Sequence, residues 1–99
     1  MATSKAFKEF VLGQLDLLDN IYFRPMMGGY LMYYDNVLVG GLYGGDRLLL
    51  KKTATNAGFG LTEAIPYEGS KKTMYLIEDL DDKEKLKEIV EATLAGLEK

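Results

Sequence analysis

MMGGYLMYYDNVLVGGLYGGDRLLLKK, residues 26–52, is the stretch whose reading decides the fold. Its apolar residues abandon the helical period of the preceding segment, and two tight-turn signals divide it into three runs, which predicts an antiparallel meander. Asp35-Asn36, between Tyr34 and Val37, suits a two-residue turn because both residues tolerate positive φ. Gly44-Gly45 fits the same role between Tyr43 and Asp46, so the expected strands are Gly29 to Tyr34, Val37 to Tyr43 and Arg47 to Lys52.

Side chains alternate along a strand, so Tyr30, Met32 and Tyr34 share one sheet face and Leu31 and Tyr33 the other. The second strand sets Val37, Val39 and Tyr43 against Leu38 and Leu42, and the third sets Leu48 and Leu50 against Leu49. Both faces are therefore largely apolar, whereas a sheet with one wet face alternates apolar with polar. Three short helices in 99 residues suffice to cover one face. The other is read as a contact surface at Tyr30, Met32, Tyr34, Val37, Val39 and Tyr43, since Tyr and Met suit protein association, or else as the filling of a thick core.

Working outward, Phe7, Phe10, Val11, Leu15 and Leu18 fall at helical spacing between Ser4 and Asp19, with Ser4 as N-cap. Pro25 excludes helix for Arg24 and marks the entry into extended chain. Thr53 to Ala57, followed by Gly58, reads as a short helix or a structured loop. Thr62 to Tyr67 and Thr73 to Ile77 are expected strands, the first of them an edge because of Pro66. Leu86, Ile89, Val90, Thr93, Leu94 and Leu97 define a last helix from about Asp82 to Ala95, with Asp81 and Glu84 in capping-box spacing. The expected class is α+β, a two-layer domain over residues 1–99 with a five-stranded, largely antiparallel sheet in the order α-β-β-β-α-β-β-α.

The composition narrows the chemistry. Neither cysteine nor histidine occurs, which excludes disulfides and thiolate zinc sites and removes the commonest general base and metal ligand. No catalytic residue, metal or cofactor is expected. No signal-peptide run opens the chain and no eighteen consecutive apolar residues occur, so the reading is cytoplasmic, with no membrane partner. A formal net charge of −3 disfavours direct nucleic-acid binding. The pairs Lys51-Lys52 and Lys71-Lys72 read as solvated strand ends or, less readily, an anion patch, and Glu78, Asp79, Asp81 and Asp82 as helix-start chemistry. Gly28-Gly29 and the other glycine pairs precede no long helix, so they read as turns or bulges instead of phosphate loops.

The run Arg24-Pro25-Met26-Met27-Gly28-Gly29-Tyr30, with Tyr33, Leu49-Leu50-Lys51, Ile65-Pro66-Tyr67 and Met74-Tyr75, resembles the N-terminal domain of the TfoX/Sxy competence-regulator family. The matching signature positions are Arg24, Met26, Gly28, Gly29 and Lys51, while Met27 stands where the family has Phe and Leu49 where it has Tyr. The resemblance implies a secretion-chaperone-like two-layer fold and a role in regulating DNA uptake or transcription. The combined expectation is a non-enzymatic protein-binding or regulatory module whose partner is a second copy or another protein. The alternative is a small ligand-binding protein or enzyme using Tyr, Lys and carboxylates near Gly28-Gly29.

Overall fold

A computed structural model describes residues 3–98, so the expected domain is seen without Met1, Ala2 and Lys99. The elements run α1 (Lys5–Gln14), β1 (Ile21–Met26), β2 (Gly29–Tyr34), β3 (Val37–Tyr43), β4 (Arg47–Leu50), a 3-10 turn (Ala57–Phe59), β5 (Thr62–Ala64), β6 (Met74–Ile77) and α2 (Lys83–Leu97). The class is α+β, and the sheet is open and antiparallel throughout, in the order β1-β2-β3-β4-β6-β5.

Two expectations about the elements are corrected. The sheet has six strands, because Ile21–Met26 pairs along its whole length with β2. Pro25 is tolerated there since β1 is an edge, where an absent N–H costs no ladder bond. Of the two readings of Thr53 to Ala57, the structure has the loop, a turn leading into the 3-10 segment, so the helix expected there drops out and the order reads α, four strands, two strands, α. The opposite edge, β5, is only three residues long.

The Asp35-Asn36 turn has positive φ at both residues, as its chemistry requires. The β3–β4 turn is one residue longer than expected: Tyr43 pairs with Arg47, and Gly45 and Asp46 take positive φ. Asp46 then accepts from the backbone N–H of Ser4 at 2.9 Å, and Ser4 Oγ accepts from the N–H of Phe7 at 3.1 Å. One turn of the sheet thus anchors the capped start of α1.

Both helices lie on the same sheet face. Val11, Leu15 and Leu18 join Leu86, Ile89, Val90 and Leu94 over Met32, Leu42, Leu48, Leu50 and Ile77 in one core cluster. Phe10 does not belong to it, being 44% exposed, because it sits on the flank of the stripe that Val11 centres. α1 ends at Gln14, and Leu15 and Leu18 reach the core from the turns that follow. At the start of α2 the cap is Asp82, which accepts from the N–H of Lys85 at 3.0 Å, and not Asp81.

A β-bulge decides which side chains face the helices. Tyr33 pairs with Leu38 and Met32 with Gly40, which leaves Val39 as an extra residue in β3. The bulge reverses the alternation, so Leu42 joins Val37 and Val39 on the helix side. Gly40 is needed at this kink, since a Cβ there would run into the carbonyl oxygen of Leu49.

Candidate functional site

The face turned away from the helices is the candidate site, and its composition follows from the strand register. Across β1 and β2, Tyr22 opposes Tyr33, and the rings stack with centroids 5.0 Å apart. The guanidinium of Arg24 lies 6.0 Å from the Tyr33 centroid, which extends the stack by a cation–π contact. Leu31 on β2, Leu38 on β3, Leu49 on β4 and Leu76 on β6 carry the apolar surface across the sheet. Leu49 is fully buried among them, although it belongs outside the helix-side cluster. Leu31, Tyr33, Leu38 and Leu76 remain half-buried and Tyr22 is exposed.

At the end of this face formed by the β3–β4 turn, the segment Ile65 to Tyr67 is held down by Arg47. Its guanidinium donates to the carbonyls of Gly44 at 3.0 Å, Ile65 at 2.9 Å and Pro66 at 3.1 Å. Three carbonyl acceptors leave Arg47 a structural clamp, fixing Pro66 in a buried position with Tyr67 projecting beside it at 61% exposure. Tyr43, Pro66 and Tyr67 form a ridge with a groove on either side. One groove, about 810 Å³, is apolar and includes Met26, Met27, Gly28 and Leu31. The other, about 820 Å³, is lined by Lys51, Lys52, Lys71 and Lys72 together with Ser70 and Thr73.

The lysine groove exists because β4 pairs with β6. Leu50 opposes Tyr75, so the residues after β4 lie beside those before β6 and two lysine pairs twenty positions apart converge. Lys52 is engaged with Glu63 at 2.7 Å and Thr73 at 2.9 Å, and this hydrogen-bonded contact holds the Glu63 carboxyl below the ordinary glutamate range. The side chains of Lys51, Lys71 and Lys72 make no ion pair among the described residues. Burial, and then the neighbouring Tyr67, push the Tyr43 phenol above the ordinary tyrosine range, so it stays a neutral hydroxyl donor.

The expected contact surface is corrected. Met32 and Val39 are fully buried in the core, and Tyr30, Tyr34 and Val37 pack against it under the helices. Tyr43 is the one member of that set on the open side, where it lines both grooves. The signature positions separate: Arg24 stacks on the open face, Met26 and Gly28 line the apolar groove, Lys51 lines the basic one, and Gly29 is buried in the β1–β2 hairpin. Near Gly28-Gly29 the carboxylate that lines the groove is Glu68, while Glu78 and Asp79 lie at a separate depression beside Ile89. Among the described residues no three carboxylates gather as metal ligands, and no helix is long and apolar enough to cross a membrane. The contact set read from the residues alone left out Leu31, Tyr33 and Leu38, whose signal was the parity opposite to the chosen face, and Tyr22, Tyr67 and Leu76, which lie outside the meander whose faces were assigned.

No family model, curated protein or solved structure matches the chain.

Proposed function

We propose that the chain is a non-enzymatic protein-binding or regulatory module that pairs with a second copy of itself through the open sheet face. The observation that carries this reading is the one-sided layering: both helices cover one face, and the other keeps Tyr22, Leu31, Tyr33, Leu38 and Leu76 at least partly in water. Burying such a surface is the main drive for association, and Tyr hydroxyls at its margin can remain hydrated. The two longest dimensions of the molecule, 31 and 30 Å, bound a face of the order of the ~800 Å² per partner that a standard interface buries.

The reading includes a relationship to the N-terminal domain of the TfoX/Sxy regulators, a secretion-chaperone-like fold type and a cytoplasmic role in regulating competence or transcription. Its support is the Arg24 to Tyr30 motif and the two-layer α+β arrangement. Light scattering after gel filtration tests the pairing directly. A dimer that dissociates in Leu38→Asp with its circular dichroism unchanged supports the reading, because an uncompensated charge at a buried contact is costly. A mass that stays at the 11.1 kDa of one chain at every concentration rejects it.

A further inference from the structure

We propose that the lysine groove is a binding site for a nucleoside phosphate, taken either as a free nucleotide or as a unit of a single-stranded nucleic acid. Although the chain is acidic overall, its charge is distributed unevenly. Residues 78–98 carry eight carboxylates against three lysines, whereas the ten residues lining the groove include four lysines and no carboxylate. Among the described residues Lys51, Lys71 and Lys72 make no ion pair, so their ammonium groups are available, and Tyr43 stands in the same wall, while the Ser70 hydroxyl is engaged with the Lys72 backbone. A concave surface of one sign focuses the field on an incoming anion more strongly than net charge suggests.

Cations alone would define an anion site of any kind, and the ridge narrows the class. Tyr67 presents an exposed ring, the Tyr43 ring lies half-buried next to it, and Pro66 fixes the backbone between the groove and its apolar neighbour. A flat apolar wall beside free ammonium groups matches a ligand that joins a planar ring to a phosphate. Sequence-tolerant binding of single strands uses this combination, a basic groove along the backbone with tyrosines beneath the bases. The volume of about 820 Å³ suits one nucleotide-sized unit. Arg47 lines the neighbouring apolar groove and not this one, and by donating to the carbonyls of Gly44, Ile65 and Pro66 it holds the ridge in place.

The experiment uses the full chain, labelled with ¹⁵N, titrated in parallel with ATP and with a single-stranded oligothymidylate of about 12 nucleotides. Amide shifts concentrated at Lys51, Tyr67, Ser70, Lys71 and Lys72 are expected with at least one probe, weakening steeply between about 50 and 200 mM salt. Equal affinity for both probes assigns the free nucleotide, and a preference for the oligonucleotide assigns the strand. The double variant Lys71→Glu, Lys72→Glu should weaken binding by about tenfold or more, whereas the matched change Lys5→Glu, Lys85→Glu on the helix layer should leave it unchanged. Tyr67→Ala should weaken binding several-fold while keeping the same salt dependence, which separates stacking from charge. Absence of binding by both probes at low salt, or binding insensitive to the Lys71 and Lys72 changes, overturns the proposal. Neither result touches the pairing of sheet faces, which involves different side chains.

Discussion

Asn56 donates through Nδ2 to Thr93 Oγ1 over 2.8 Å, and this contact between two fully buried polar residues ties the chain after β4 to the middle of α2. Asn56 Nδ2 also donates to the Lys51 carbonyl at 2.9 Å, its Oδ1 accepts from the Thr53 N–H at 2.9 Å, and Thr93 Oγ1 donates to the Ile89 carbonyl at 2.8 Å. Every polar atom of the pair is used, which is the condition for such groups to be buried without penalty.

Asn56→Ala should therefore cost about 3 kcal/mol, because it removes the partner of the part-buried Thr53 N–H and Lys51 carbonyl and of the buried Thr93 hydroxyl. Thr93→Val keeps the shape and should cost roughly 1 to 2 kcal/mol. Urea unfolding of both single variants and the double should show a coupling energy on the order of 1 kcal/mol; additive losses would mean the two residues act separately.

Where α2 crosses that segment, Gly96 allows contact with Thr53 and Thr55, and a Cβ at Gly96 would overlap both threonine side chains. Gly96→Ala, which raises helix propensity, should nevertheless destabilise by about 1 to 3 kcal/mol through overpacking. Gly58→Ala, which meets open space, should change stability by less than about 0.5 kcal/mol. A rise in thermal midpoint for Gly96→Ala would show that the helix end does not pack as described.

Truncation in the two apolar stripes should divide them. Leu94→Ala removes a core side chain and should cost about 2 to 5 kcal/mol, whereas Phe10→Ala should cost less than about 1 kcal/mol. Equal losses in chemical denaturation would place Phe10 in the core after all.

Lys52, Glu63 and Thr73 give a prediction about pH. The Glu63 carboxyl is depressed by its hydrogen bonds from Lys52 and Thr73 and by the lysine charge. A depressed carboxyl contributes stability that is present above its unfolded pKa and fades as the pH falls through its folded one. An NMR titration should find Glu63 ionising below the ordinary glutamate range, and Lys52→Met should return it upward. Because the pair is exposed, the effect on global unfolding in acid should be small.

Much of the fold is legible in local chemistry. The Asp35-Asn36 turn, the Ser4 cap and the Leu86 to Leu94 stripe depend on neighbours within a few residues, and the structure has them where side-chain period and capping place them. β1 was harder to read because Arg24-Pro25 resembles an irregular entry segment, and a proline is compatible with a strand only once the strand is known to be an edge. The bulge at Val39 leaves no mark in Val-Leu-Val-Gly-Gly, which alternates equally well with or without an extra residue. With both faces apolar, parity groups the side chains correctly on β2 but does not say which group the helices cover. The grooves were less legible still, since Lys51 and Lys72 meet only through the β4–β6 pairing, a long-range choice that no local pattern encodes.

The two ends of the sheet bear on what happens to this protein when it is crowded. A sheet that does not close on itself has rims onto which further chains can zip, strand upon strand, into fibrils. Here one rim is β1, whose Pro25 lacks a donor and obstructs an added strand, and the other is β5, which offers three residues. Endless growth through the backbone is thereby blunted at both sides, and under the proposed pairing the flat of the sheet is the surface on which association would close after one partner has docked. A concentrated solution of the chain should accordingly stay clear and resist seeding, even though its apolar face is only partly covered.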